Sequence, residues 1–245
     1  MNDLKKDIER RVAFIKDLLQ KSGAKGVIFG NSGGKDCALV GILCRMATEN
    51  VLGVIMPCES RRNYEEDRRD GEEVAKKFGL QSCVVDIGDI KSAFRGVLAG
   101  ENLGGLVGAN INPRIRMTVL YAMAQARGYL VAGTGNRSER YMGYYTKWGD
   151  GACDFNPISD LTVQEVYAYL EALDAPRAVI EKAPSAALYE GQTDEQEMGV
   201  TYRAIDTYLL GGEIDPKDKE IIDRYHARSE HKRTGTVFYK RVDEA

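Results

Sequence analysis

Ser32, Gly33, Gly34, Lys35 and Asp36 follow the apolar run Val27–Gly30 and lead into the apolar stretch Ala38–Leu43. This reads as a buried strand, a tight turn and the opening of a helix. Glycine lets the turn take backbone conformations closed to other residues and lets a ligand come close. A helix start offers unpaired N–H groups and the positive end of a dipole. Together they make an anion site, whose usual occupant is phosphate. Two familiar phosphate loops do not fit. G-x-x-x-x-G-K-[ST] fails because Asp36 follows Lys35, and G-x-G-x-x-G is absent here. On the loop alone, an ordinary strand-to-helix turn remains the plain alternative.

A second glycine-rich run, Gly133-Thr134-Gly135-Asn136-Arg137-Ser138-Glu139, follows the apolar run Tyr129–Ala132. In an open parallel sheet, ligands sit beyond the carboxyl ends of strands near a switch in strand order. The two loops should then face one site and bring Asp36 and Glu139 together. Two carboxylates beside phosphate oxygens offer the hard oxygen ligands that Mg²⁺ takes. The alternative is that each acid merely sits at a helix start.

These loops need a scaffold. Helical spacing over 4–19, stopped by Gly23, predicts a first helix. Strands are expected at 27–30, 51–56, 83–85 and 129–133, with helices at 64–78 and 86–99 between them. Strands alternating with helices predict an α/β fold, doubly wound, with a mostly parallel sheet covered on both faces. The glycine-rich stretch 100–110 reads as a mobile loop, and Asn112-Pro113 as the cap and first position of a helix with Arg114 and Arg116 in its first turn. Cations there oppose the helix dipole, so a neighbouring anion or plain solvation must repay them.

Residues 140–157 combine Tyr141, Tyr144, Tyr145, Lys147, Trp148 and Asp154 with several glycines. A long aromatic loop favours binding of a flat heterocycle bearing an anionic group, against aromatic anchors in a core. Thr162-Val163-Gln164-Glu165 is a capping box for a helix at 166–173. Further helices are expected from Pro176, over 194–210 with a break at Gly199, and after Asp215-Pro216, with a strand-like run at 237–239. The whole chain, 1–245, is read as one domain in which 176–245 forms a helical extension covering the site.

Composition narrows the classes. A net charge of -3 gives no general attraction to nucleic acid or to a membrane surface. No apolar run approaches the ~20 residues of a membrane span, and the N-terminus lacks a signal-peptide core. Five cysteines without a C-x-x-C pair argue against a disulfide framework or structural zinc, and for a reducing cytoplasm.

Ser32-Gly33-Gly34-x-Asp36 resembles the S-G-G-x-D-S loop of ATP pyrophosphatases, which cleave ATP between its α and β phosphates. Asn112–Met117, Gly133–Glu139, Gly143–Asp150, Asp154–Pro157, Lys182–Leu188, Gln192–Glu195 and His231-Lys232 are together similar to ammonia-dependent NAD⁺ synthetases within that superfamily. The resemblance implies that Gly30, Asn31, Ser32, Gly33, Gly34, Lys35, Asp36 and Cys37 hold the ATP phosphates, with Thr134 and Ser185 also contacting ATP. Asp36 and Glu139 would bind Mg²⁺. Arg114, Lys147, Asp154, His231 and Lys232 would bind deamido-NAD⁺, with Lys147 also stabilising charge during reaction. A symmetric homodimer is implied as well, with the dinucleotide across the subunit boundary.

There are departures. Cys37 stands where Ser is usual, and a thiol is a weaker donor. Asn31 replaces a commonly apolar or small residue. Val163 stands where a lysine usually reaches ATP, a contact Lys182 would have to supply.

The implied chemistry needs no covalent protein nucleophile. A nicotinate carboxylate is a poor acyl donor because its leaving group would be oxide. Attack on the α-phosphate of ATP makes an acyl-adenylate and releases pyrophosphate; ammonia then attacks the acyl carbon and AMP departs. Un-ionised ammonia is the nucleophile, so the rate should rise above neutral pH. Glutamine as nitrogen donor is disfavoured, since a glutaminase would need another domain. Two alternatives stay open: adenylation of a different acceptor, as in GMP-synthetase-like or tRNA-modifying enzymes, and a nucleotide sensor without turnover.

Overall fold

Strands β1 (Gly26–Gly30), β2 (Val51–Ile55), β3 (Gln81–Val84) and β4 (Tyr129–Val131) form one sheet. Their order is β3-β2-β1-β4, and every pair is parallel, with Val27 beside Val51, Ile28 beside Val131 and Leu52 beside Gln81. The computed structural model describes residues 2–58, 61–181 and 194–239, with backbone alone for 2 and 61–67.

Helices cover both faces, as the alternation predicts. Strand residues point to opposite sides in turn. Val27, Phe29 and Val51 pack with α1 (Asn2–Ser22), α2 (Lys35–Ala47) and α8 (Val163–Ala172) through Ile15, Leu39, Leu43 and Leu170. Ile28, Leu52, Val54 and Val131 face α6 (Ile111–Arg127) through Ile111, Ile115, Leu120 and Ala124. α3 (Arg61–Phe78) adds Val74 to the first layer, and α4 (Gly88–Val97) follows β3.

A third cluster joins Met142 and Val163 to Met198, Tyr202, Ile205 and Ile222. It ties α7 (Arg137–Met142) and the start of α8 to α10 (Asp194–Met198), α11 (Tyr202–Leu209) and α12 (Pro216–Arg228). The break expected at Gly199 separates α10 from α11, with φ 73 at that glycine. Asp215 caps α12 by accepting from Lys217 N–H at 2.8 Å. α9 (Arg177–Glu181) follows α8, and α13 (Glu230–Arg233) follows α12.

Four local expectations change. The glycine-rich stretch contains a short helix, α5 (Gly105–Ala109), and α6 starts at Ile111 with Asn110 at its N-cap. Asn112 is therefore inside the helix. Pro113 sits at its third position, where a missing N–H loses no intrahelical bond. β4 stops at Val131, and Ala132 beyond it makes an isolated parallel bridge with Phe155. Val237, Phe238 and Tyr239 join no strand and lie exposed.

Candidate functional site

The strand order places the carboxyl ends of β1 and β4 side by side with no strand between them. β1 connects onward to β2 on one side, while β4 flanks it on the other, so the strand order reverses there. That is where an open parallel sheet leaves a crevice. A cleft of about 1530 Å³ opens at this point, lined by Ser32, Asp36, Thr134, Glu139, Arg116 and Lys232 among others.

The acids converge. Asn136 Nδ2 donates to Asp36 Oδ1 at 3.1 Å. The same Asn136 caps α7: its side-chain oxygen accepts from Glu139 N–H at 2.9 Å, and its own N–H donates to Glu139 Oε2 at 3.0 Å. One buried residue thus fixes both carboxylates, and α7 opens with a reciprocal capping box. Asn136 did not stand out in the sequence; its place three residues before Glu139 was the available signal.

Lys35 pairs with Asp36 Oδ2 at 2.7 Å and lies over the rings of Tyr167 and Tyr202. Burial disfavours its charge, but Asp36 and Glu139 outweigh that and hold the ammonium well above its ordinary range. Glu139 is half-buried. Desolvation by the surrounding protein, with Asp36 beside it and Asp194 near, pushes its carboxyl up to about 8, against the opposing pull of Lys35 and the Asn136 N–H. The two side chains offer hard oxygen donors, held near each other by Asn136. The pair therefore fits a divalent cation of the Mg²⁺ kind, completed by phosphate oxygens and water. No cluster of three or more such ligands occurs among the described residues.

The phosphate loop has Gly33 at φ 72, a left-handed conformation that favours glycine. Gly34 N–H donates to Ser32 Oγ at 3.4 Å. Ser32 is exposed to the cleft. Cys37 is buried: its thiol donates to Gly34 O at 3.0 Å and lies 3.4 Å from Ser32 Oγ. Burial raises the thiol above its ordinary range. Gly30, Asn31 and Thr134 also line the cleft. Val163 is core, packed in the third cluster. Ser185 and Lys182 lie outside the described residues.

The expected dinucleotide residues are placed as follows. Arg114 and Lys147 line the cleft, and Arg114 Nη2 donates to Lys147 O at 3.3 Å. Lys147 Nζ donates to the carbonyls of His231 and Gly235, and lies 5.4 Å over the Trp148 ring. Lys232 Nζ donates to Gly143 O and Tyr145 O at 2.6 Å each. Burial holds Lys232 below its ordinary range, and Arg114 adds to that. His231 lines the same wall. Asp154 is set apart: its carboxylate accepts from Val131 N–H at 2.8 Å and from Tyr121 OH at 3.2 Å, which clamps the end of β4.

The sequence pattern that defines NAD synthase matches residues 7–241. This chain belongs to the NAD synthase family. The NH(3)-dependent NAD(+) synthetase of Alkaliphilus metalliredigens is 42% identical over 236 residues, covering 92% of this chain and 94% of that one. The NMN synthetase of Francisella tularensis superposes with a TM-score of 0.92 at 34% identity, over 96% of this chain and 98% of that one. The NH3-dependent NAD synthetase of Campylobacter jejuni superposes with a TM-score of 0.79 at 30% identity, over 97% and 99%.

Proposed function

We propose that this chain amidates deamido-NAD⁺ to NAD⁺ with ammonia and ATP, through an acyl-adenylate, releasing pyrophosphate and AMP. The joining of Asp36 and Glu139 through Asn136, beside the glycine turn, carries the assignment. The turn and the start of α2 supply N–H groups and a dipole for the leaving pyrophosphate. Asp36 and Glu139 would hold Mg²⁺, which when bound neutralises charge developing on the phosphates. Thr134 would contact ATP from the β4 loop. Arg114, Lys147, His231 and Lys232 line a cationic wall suited to the acceptor's phosphates. Ser185 would contact ATP, as the resemblance implies; Asp154 would act on the acceptor indirectly, through the β4 end that it fixes, and not as the direct contact the resemblance implies. The five cysteines are free, which suits a reducing cytoplasm.

A second copy would complete the cleft. Phe94, Val97, Leu106 and Val107 are 48%, 85%, 62% and 55% exposed along α4 and α5. Leu106 also lines the cleft, so a partner covering this apolar face reaches the cleft rim. We read the assembly as a homodimer on this ground.

A second reading concerns the acceptor. The superposition on the Francisella NMN synthetase is closer than that on the Campylobacter NAD synthetase. It favours a mononucleotide acid in the same chemistry. Parallel reactions with Mg-ATP, ammonium and either deamido-NAD⁺ or nicotinate mononucleotide, followed by AMP and amide assay, decide between them. Higher kcat/KM for deamido-NAD⁺ is expected. Higher kcat/KM for the mononucleotide supports the second reading, and no amide from either overturns both.

A further inference from the structure

Asn31 is buried, at 6% exposure, immediately before the phosphate loop. A buried amide must find partners, and this one finds them on two sides. Its Oδ1 accepts from Gly33 N–H at 3.1 Å and from the Cys37 thiol at 3.5 Å. Its Nδ2 donates to Gly71 O at 3.4 Å, in the middle of α3. The side chain therefore joins the apex of the loop to a helix some forty residues further along the chain.

One glycine makes room for it. A Cβ at Gly71 would stand 2.7 Å from Asn31 Nδ2 and 3.0 Å from its Oδ1. Gly71 does not have a positive φ. Backbone conformation does not demand glycine there; the space taken by Asn31 does. Apart from proline, glycine is the poorest residue inside a helix, so Gly71 weakens α3 for the sake of the slot.

We propose that Asn31 is a positioning residue for the triphosphate. Its amide is a peg that holds Gly33 N–H and ties the loop to α3, so that the loop is already shaped when ATP arrives. Cys37 belongs to the same unit, since its thiol reaches Asn31 and Gly34 rather than standing alone. A preorganised loop spends less of its binding energy on ordering. The effect falls on the β and γ phosphates and leaves adenosine contacts unchanged. The proposal rests on reading this loop as a triphosphate site, but not on which acceptor is amidated.

Equilibrium binding of α,β-methylene-ATP and of AMP to the full chain tests it, with Mg²⁺ present and melting recorded in parallel. Asn31→Ala is expected to weaken the triphosphate analogue about five-fold and to leave AMP within about two-fold. Gly71→Ala should reproduce that selective loss, because its methyl displaces the amide. The double variant should bind no more weakly than Asn31→Ala alone, since the methyl then fills the space of a missing side chain. It should also melt above Gly71→Ala. Additive losses, equal loss of both ligands, or unchanged triphosphate binding overturn the proposal. Should Asn31→Ala not fold, Gly71→Ala alone decides, and unchanged binding there has the same force. Unmodified protein that binds neither ligand refutes the reading of the loop as well.

Discussion

At the scale of single residues, the site gathers acids: burial first, then Asp36 with Asp194 near, pushes the Glu139 carboxyl up to about 8. A divalent cation held by Asp36 and Glu139 would lower that value and release the proton that the raised carboxyl holds. Titrating a magnesium complex of a non-hydrolysable ATP analogue at pH 7, in two buffers of different ionisation enthalpy, should show close to one proton released. Glu139→Gln should abolish the release, and heats identical in both buffers would refute it. The same shift affects folding. The carboxyl's pKa is higher folded than unfolded, so its contribution is full below about 4.5 and is lost as pH rises through about 8. The Asp36–Glu139 pairing was legible because turn composition marked the two loops and strand alternation placed them. Asn136, which makes the pairing rigid, was not. A capping residue acts through geometry that composition does not record.

At the scale of elements, the C-terminal helices brace the loops. Asp206 of α11 is fully buried, accepting from Ser138 Oγ at 2.5 Å and from Gln164 N–H at 2.8 Å. It fastens α7, which carries Glu139, to the first turn of α8. Asp206→Ala leaves the buried Ser138 hydroxyl and the part-buried Gln164 N–H without this partner and should cost about 2–4 kcal/mol by urea unfolding, with lowered kcat. A loss below about 0.5 kcal/mol would contradict this bracing role. The regular elements were readable from the chain because apolar periodicity and capping residues act locally: Thr162 with Glu165, Asp215 with Pro216, and the Gly199 break all stand where expected. The start of α6 was missed because α5 runs almost directly into it, so the helix signal begins before Asn112. The exposed tail at Val237–Tyr239 forms no strand because an apolar run signals one only where a neighbour offers pairing.

At the scale of the molecule, the proposed reaction places two ligands in one cleft, whose rim at Leu106 continues into an exposed apolar face. Val97→Asp with Leu106→Asp should convert a dimer to monomers by sedimentation and raise KM for the pyridine nucleotide more than for ATP. A variant that remains dimeric would place the interface elsewhere. Substrate length is the property least visible in the chain. The residues that would measure it belong to the cleft wall at Arg114, Lys147 and Lys232, where side chains now hold backbone carbonyls. The central claim is that a pyridine carboxylate is activated at the α-phosphorus of ATP. Deamido-NAD⁺ labelled with ¹⁸O in its nicotinate carboxylate, turned over with ATP and ammonia, tests it by mass spectrometry of the products. One labelled oxygen should appear in AMP and one remain in the amide; label in pyrophosphate or inorganic phosphate, or AMP without label, would contradict the mechanism.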